Sequence, residues 1–302
     1  MTQAATATIT EGIGKSARPS VIPTLADFVD LQSYPIHDLQ STKRKALVEQ
    51  CRKELDAVGC CRIPDIIHPE SIERMRCEVE RQRDNIFWSQ DSHNPYMRKD
   101  DPSLPETHPA RIFSKRSSGF VNSDILEEFS DLRAIYNNDI MLQFVSDCLG
   151  IAPIYRWSDP LGCNPYSVMD EASHFPWHFD GNEFTVSILV QEAEKGGQFQ
   201  YSPDIRSTEH ENFDEVAKIL NGDHEKVISL ELCPGDMQIF KGRFSMHRVT
   251  PVEGKKSRYI ALPTYVRDPD TVNRPERAKQ FYGRALDIHY EREANRPDNL
   301  VD

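Results

Sequence analysis

The segment Trp177–Asn182 reads WHFDGN and sets a histidine and an aspartate two positions apart. On an extended strand, residues i and i+2 face the same way, so His178 and Asp180 can approach one ion together. Two histidines and one carboxylate on one face of a metal leave positions open on the other, the arrangement with which ferrous iron activates oxygen. The third ligand must come from a distant strand. Most of the ten histidines lie in charged or helical surroundings. His247 does not. It sits in PGDMQIFKGRFSMHRVTPV, where the turn Pro234-Gly235-Asp236 leads to an apolar strand, a Lys-Gly-Arg turn and then the strand that bears the histidine.

Arg258 follows on the next strand, ahead of the apolar Tyr259, Ile260 and Ala261. An arginine that enters a β-core needs an anionic partner. A dicarboxylic cosubstrate that chelates the iron offers its distal carboxylate, which a guanidinium grips with two parallel hydrogen bonds. The competing reading is a structural ion pair with Asp236 or Glu253.

The elements that must position these residues can be read from pattern. The segment from Ser41 to Val58 has helical spacing and stops at Gly59, CCRIPDI reads as a short strand, and His68-Pro69 opens a second helix running to about Asn85. A Pro- and charge-rich loop from Trp88 to Pro109 follows, and two helices are expected between Ser123 and Leu149. After Gly150 short β-rich runs alternate with turn signals, among them NPYSVM, EFTVSILVQ, DMQIFKG and RYIALPTYV. About eight strands of this kind indicate a barrel or jelly roll. The predicted fold class is α+β, a double-stranded β-helix (jelly roll) with N-terminal helices packed on one sheet. The expected organisation is a mobile tail over 1–22 and a single domain over 23–302. Within it lie a helical part to about 150, a jelly-roll core over about 151–267, and a terminal helix over about 273–291.

Composition bounds the partners. The chain has 302 residues and a formal net charge of −12. A field of that sign disfavours phosphate backbones, so nucleic acid is not an expected partner. No apolar run approaches the roughly 20 residues of a membrane span, and no membrane partner is expected. The start of the chain lacks a signal-peptide core, and a cytoplasmic location is expected. The seven cysteines are irregularly spaced and form no CxxC pair, so neither a disulfide framework nor a zinc knuckle is indicated.

The segment from Asn164 to Val266 resembles the iron(II)/2-oxoglutarate-dependent oxygenase superfamily. The likeness is carried by WHFDGN, by Gly196-Gly197-Gln198-Phe199 at a strand start, and by CPGDMQIFKGRFSMHRVTPV. More narrowly, WHFDGNEFTVSILVQ and the long N-terminal half are similar to a subgroup acting on free amino acids, the lysine-type halogenases and their hydroxylase relatives. The resemblance implies Fe(II) on His178, Asp180 and His247, 2-oxoglutarate clamped by Arg258, dioxygen as cosubstrate, and ascorbate as a supporting reductant. Halogenases of the superfamily carry Gly or Ala at the carboxylate position, which frees a place for halide. Asp180 occupies that place here, so hydroxylation, desaturation or ring closure of an unactivated C–H is expected, with release of succinate and CO2.

Tyr166 on the preceding strand is a candidate hydroxyl contact to 2-oxoglutarate, or else a core aromatic. Trp177 is a candidate wall of the substrate pocket, or faces the opposite core. His174 is a substrate candidate against a surface-loop histidine. Arg116, at the end of the long loop, suits a lid residue for a substrate carboxylate, and Thr264 shares the side-chain parity of Arg258; local structure is the alternative for both. Gly181 supplies no acid for a side-chain amine, although Asp170, Glu171 and Glu183 are near, which favours a smaller or apolar amino acid over a lysine-type one. The partner expected is thus a small molecule, a free amino acid. The alternatives are a cupin-type metal enzyme without 2-oxoglutarate, or a non-catalytic binding protein of this fold.

Overall fold

Helix α1 (Thr42–Val58) begins where the Ser41 side chain accepts from the Arg44 amide, and it ends on Gly59 in the left-handed region at φ 68°. The computed structural model describes residues 23–294, and the expected tail over 1–22 lies outside the described residues. Strand β1 (Cys60–Ile63) follows, then α2 (Pro69–Arg81) with proline in its first turn. Strands β2 (Phe87–His93) and β3 (Ser114–Val121) pair antiparallel along their whole length. Helices α3 (Asp131–Tyr136) and α4 (Asp139–Leu149) are capped by Ser130 and Asn138.

The remaining strands are β4 (Tyr155–Arg156), β5 (Tyr166–Met169), β6 (Phe175–His178), β7 (Thr185–Gln191), β8 (Lys195–Gly196) and β9 (Phe199–Ser202). Helix α5 (Phe213–Leu220) interrupts them before β10 (Ile228–Leu230), β11 (Met237–Phe240), β12 (Met246–Val249), β13 (Val252–Glu253), β14 (Arg258–Ala261) and β15 (Tyr265–Val266). Helices α6 (Pro275–Tyr282) and α7 (Asp287–Ala294) follow.

A seven-stranded sheet in the order β1-β11-β7-β14-β5-β3-β2 faces a four-stranded sheet in the order β10-β9-β12-β6. This is the expected jelly roll. Alternation decides which way each side chain of the large sheet points. Tyr166, Val168, Val186, Ile188, Tyr259 and Ala261 join the core beneath the helices. Their neighbours Ser167, Met169, Thr185, Ser187, Arg258 and Ile260 line the cavity between the sheets. The helices therefore cover one face of the large sheet, and the chemistry lies on the other.

Several boundaries differ from the pattern reading. The half before Gly150 is not purely helical: β1, β2 and β3 extend the large sheet. Strand β2 runs from Phe87 into the expected loop, and the polar residues of Ser114–Val121 hid β3. Gly283, at φ 79°, divides the expected terminal helix into α6 and α7. Helix α2 ends at Arg81, ahead of the expected stop. The seven cysteines are free, as expected, and among the described residues no helix is long and apolar enough to cross a membrane.

Candidate active site

β6 and β12 lie side by side, and their antiparallel register sets His247 directly opposite His178. The imidazole centroids are 4.0 Å apart. Asp180, just past the end of β6, brings Oδ1 to 3.4 Å from His247 Nε2 and 3.7 Å from His178 Nε2. The three ligand atoms lie within 4.8 Å of one another.

Each ligand is held by a second group. His178 Nδ1 donates to the Pro176 carbonyl at 2.9 Å, and His247 Nδ1 donates to the Ser245 carbonyl at 3.0 Å. Those bonds turn both Nε2 atoms towards Asp180, the side from which a metal would be held. Burial, aided by repulsion from His247, holds His178 well below the usual histidine range, so its ring is neutral. Burial alone would raise the Asp180 carboxyl. The two histidines and the Thr185 hydroxyl outweigh it and hold the group ionised below the usual carboxylate range. Thr185 Oγ1 donates to Asp180 Oδ2 at 2.7 Å. Gly242 completes the cradle: its carbonyl accepts from the Asp180 amide at 3.0 Å, and a Cβ there would stand 2.0 Å from Asp180 Oδ2.

Arg258 lies across the cavity, 4% exposed. The ion pairs weighed against it do not form, because Asp236 pairs with Arg62 and Glu253 with Lys195. Among the described residues no carboxylate pairs with Arg258, and burial brings its guanidinium down to about 10. Gly197, at φ +62°, lets the chain pass close to it; a Cβ there would lie 3.0 Å from Arg258 Cδ. A buried cation without a counter-ion is costly. A dicarboxylate ligand removes that cost. The cavity encloses about 310 Å³ and is walled by Phe175, Phe281, Leu262 and Trp157. Two imidazoles and one carboxylate fit Fe(II), and the free guanidinium fits 2-oxoglutarate.

The other sequence candidates divide. Thr264 lines the cavity, though its hydroxyl is directed at the carbonyls of Gly162 and Leu262. Tyr166 does not reach the cofactor: it points to the helix side of β5, and its hydroxyl donates to Glu78 at 2.8 Å. Ser167, one position on, faces inward instead. Trp177 alternates with His178 and so packs outside the small sheet, under Arg248 at 4.6 Å. Both ring nitrogens of His174 face backbone carbonyls, of Lys115 and Ala172, away from the cavity. Arg116 is no lid residue. It lies on β3, 2% exposed, behind Phe281 and Phe175. Thr185, Gly242 and Ser167 were missed from sequence; strand parity around Arg258 and Asp180 was the signal that could have found Ser167 and Thr185.

A triad that fits Fe(II) on one wall and a guanidinium that fits a dicarboxylate on the other is the pairing that marks the non-haem iron, 2-oxoglutarate-dependent dioxygenases, and the protein is an enzyme of that class. A family model described as halogenase D matches residues 43–280, and the chain belongs to that family. Among solved structures it is similar to SnoK, a non-heme alpha ketoglutarate dependent carbocyclase from nogalamycin biosynthesis. That match has a TM-score of 0.50 and 11% identity, over 74% of this chain and 85% of that one. It is also similar to AviO1 from Streptomyces viridochromogenes Tue57, with a TM-score of 0.49 and 17% identity over 76% and 97%. A 2OG-Fe(II) oxygenase family oxidoreductase from Burkholderia pseudomallei has a TM-score of 0.45 and 14% identity over 74% and 92%. At these identities the likeness is one of fold. No curated protein sequence matches the chain.

Proposed function

We propose that the protein hydroxylates an unactivated C–H bond of a free amino acid, with desaturation or ring closure as the other outcomes of the same hydrogen abstraction. Asp180 carries this reading. It completes the triad with His178 and His247, and it fills the place a halide would need, so membership in a halogenase-named family does not make halogenation the reaction.

When bound, iron with 2-oxoglutarate and dioxygen would supply the oxidant for hydrogen abstraction, with succinate and carbon dioxide as the coproducts. The chain positions the reactants. His178, Asp180 and His247 hold the metal, and Thr185 and Gly242 keep the Asp180 carboxylate turned towards both imidazoles. Arg258 clamps the distal carboxylate of 2-oxoglutarate. Phe175 and Phe281 exclude water and present an apolar wall to the substrate. The unpaired Arg258 favours this reading over a cupin-type enzyme, which has no dicarboxylate to bind.

The test is aerobic incubation with Fe(II), ascorbate, 2-oxoglutarate and pools of free amino acids, following succinate and product mass together. Succinate with a substrate that gains one oxygen is the expected result. Loss of two hydrogens would identify desaturation or ring closure. Succinate formation independent of every pool would reject free amino acids, and a chlorinated product in chloride would reject the role given to Asp180.

A further inference from the structure

Helix α6 brings a second cation to the cavity. Arg277 is among its lining residues, with Phe281 one turn further on. Among the described residues the one polar contact of its guanidinium is Nη1 donating to the Met97 thioether at 2.8 Å. Among the described residues no carboxylate pairs with it. Burial lowers its pKa, and Tyr282 is the group that opposes the shift. Arg116 approaches the same ring: its guanidinium is 4.1 Å from the Phe281 ring centroid, and that of Arg277 is 5.4 Å away. Nε and Nη1 of Arg116 are buried without a partner. Asp91, whose charge reaches Arg116, accepts from Gln280. Two guanidiniums thus share one apolar wall, and Arg277 disfavours the charge of Arg116.

The rest of the cavity lining sharpens the sign. Among its side chains Asp180 is the one acid, and the triad uses it. Acids close in sequence are engaged elsewhere: Asp170 pairs with Arg83 at 2.8 Å and accepts from Ser257, and Glu183 pairs with Arg267 at 2.9 Å. An ammonium group at the end of a side chain would find no counter-charge here. A carboxylate would find Arg277.

We propose that Arg277 binds the carboxylate of the organic substrate, and that the substrate is a carboxylate with an apolar body rather than a lysine-type dibasic molecule. The inference rests on the oxygenase reading above and narrows its substrate. The geometry also orients that molecule. Phe281 lies 6.4 Å from Phe175, whose ring is 4.2 Å from His178. An anion at Arg277 therefore sits one aromatic layer away from the triad. The apolar body lies along Phe281 and Phe175, and the carbons far from the carboxylate reach the metal.

The experiment uses the full-length protein loaded with Fe(II) and saturating 2-oxoglutarate without oxygen. It is titrated calorimetrically with isocaproate, isocaproamide, L-leucine and L-lysine. Isocaproate should bind at least about tenfold more tightly than its amide, and L-leucine more tightly than L-lysine. Arg277→Gln should abolish the preference for the acid, and Arg277→Lys should retain part of it. Neither variant should alter 2-oxoglutarate affinity or shift Tm by more than a few degrees. Equal binding of acid and amide, no binding of any probe, an unchanged preference in Arg277→Gln, or tighter binding of L-lysine would each overturn the proposal. Weakened 2-oxoglutarate binding in Arg277→Gln would assign the residue to the cofactor and overturn it as well. Arg277-dependent binding of isocaproate, in an enzyme that forms succinate with no free amino acid, would sustain the inference and reject the free-amino-acid reading. Turnover of amino acids with carboxylate binding indifferent to Arg277 would do the reverse.

Discussion

Arg258 and Asp180 illustrate how single residues set this site. Arg258 has no carboxylate partner among the described residues, so its charge is free to meet a ligand. Losing one side of a buried charge-paired contact costs about 2–5 kcal/mol, which corresponds to roughly 30- to 5000-fold in affinity. Arg258→Gln is expected to raise the KM for 2-oxoglutarate by at least 30-fold while leaving iron affinity within a few-fold. Steady-state succinate formation, together with chelator competition, measures both. Gly242 matters for the space it leaves. A methyl there would stand 2.0 Å from Asp180 Oδ2 and must push the carboxylate off both histidines. Gly242→Ala should weaken iron binding about 10- to 100-fold, the size of an outer-shell defect, with little change in Tm. Unchanged iron affinity would show that the turn yields instead.

At the scale of elements, strand parity assigns the faces. Tyr166 and Ser167 are neighbours on β5, yet one packs under α2 and the other lines the cavity. The Glu78 carboxylate on α2 accepts from Ser130 Oγ at 2.7 Å, from the Glu127 amide at 2.9 Å and from Tyr166 Oη at 2.8 Å. This buried hub ties the helical layer to the large sheet. Removing one of its donors should cost about 1–3 kcal/mol, because Glu78 stays buried with less satisfaction. Tyr166→Phe is therefore expected to lower unfolding free energy by that amount in a denaturant titration and to leave the KM for 2-oxoglutarate unchanged. A raised KM with unaltered stability would return Tyr166 to the cofactor. Helix α6 shows the same logic at the other end of the chain: its position against β2, with Phe281 beside Phe175 of β6, brings Phe281 and Arg277 to the cavity.

For the whole molecule, two sheets meet around a charged, concave interior, and the ligands supply charges the fold withholds. Binding to the native state alone stabilises it by mass action, about 2.7 kcal/mol at a hundredfold excess over Kd. In a chain of 302 residues each kcal/mol moves Tm by roughly 2 °C. Fe(II) with 2-oxoglutarate, in the absence of oxygen, should thus raise Tm by roughly 5 °C in a thermal melt. A chelator should reverse the rise, and Arg258→Gln should lose the part that depends on 2-oxoglutarate. A melt indifferent to both ligands would contradict the site.

The sequence by itself determined the jelly-roll class, the triad and Arg258. Each of these rests on local chemistry: an i, i+2 pair at a strand end, a glycine-turned segment ending in a histidine, and an arginine that a β-core cannot tolerate unpaired. The helix boundaries at Ser41 and Gly59 were legible for the same reason, since caps act within one turn. Tertiary structure alone decided the rest. The polar strand β3 is a strand because β2 and β5 pair with it. Tyr166, Trp177, His174 and Arg116 left the cavity because alternation and packing turned them elsewhere. Gly242 and Arg277 entered the site from a turn and a charged terminal helix, because the fold closes long loops and sets those segments beside Asp180 and Phe175, distances that no spacing in the chain encodes.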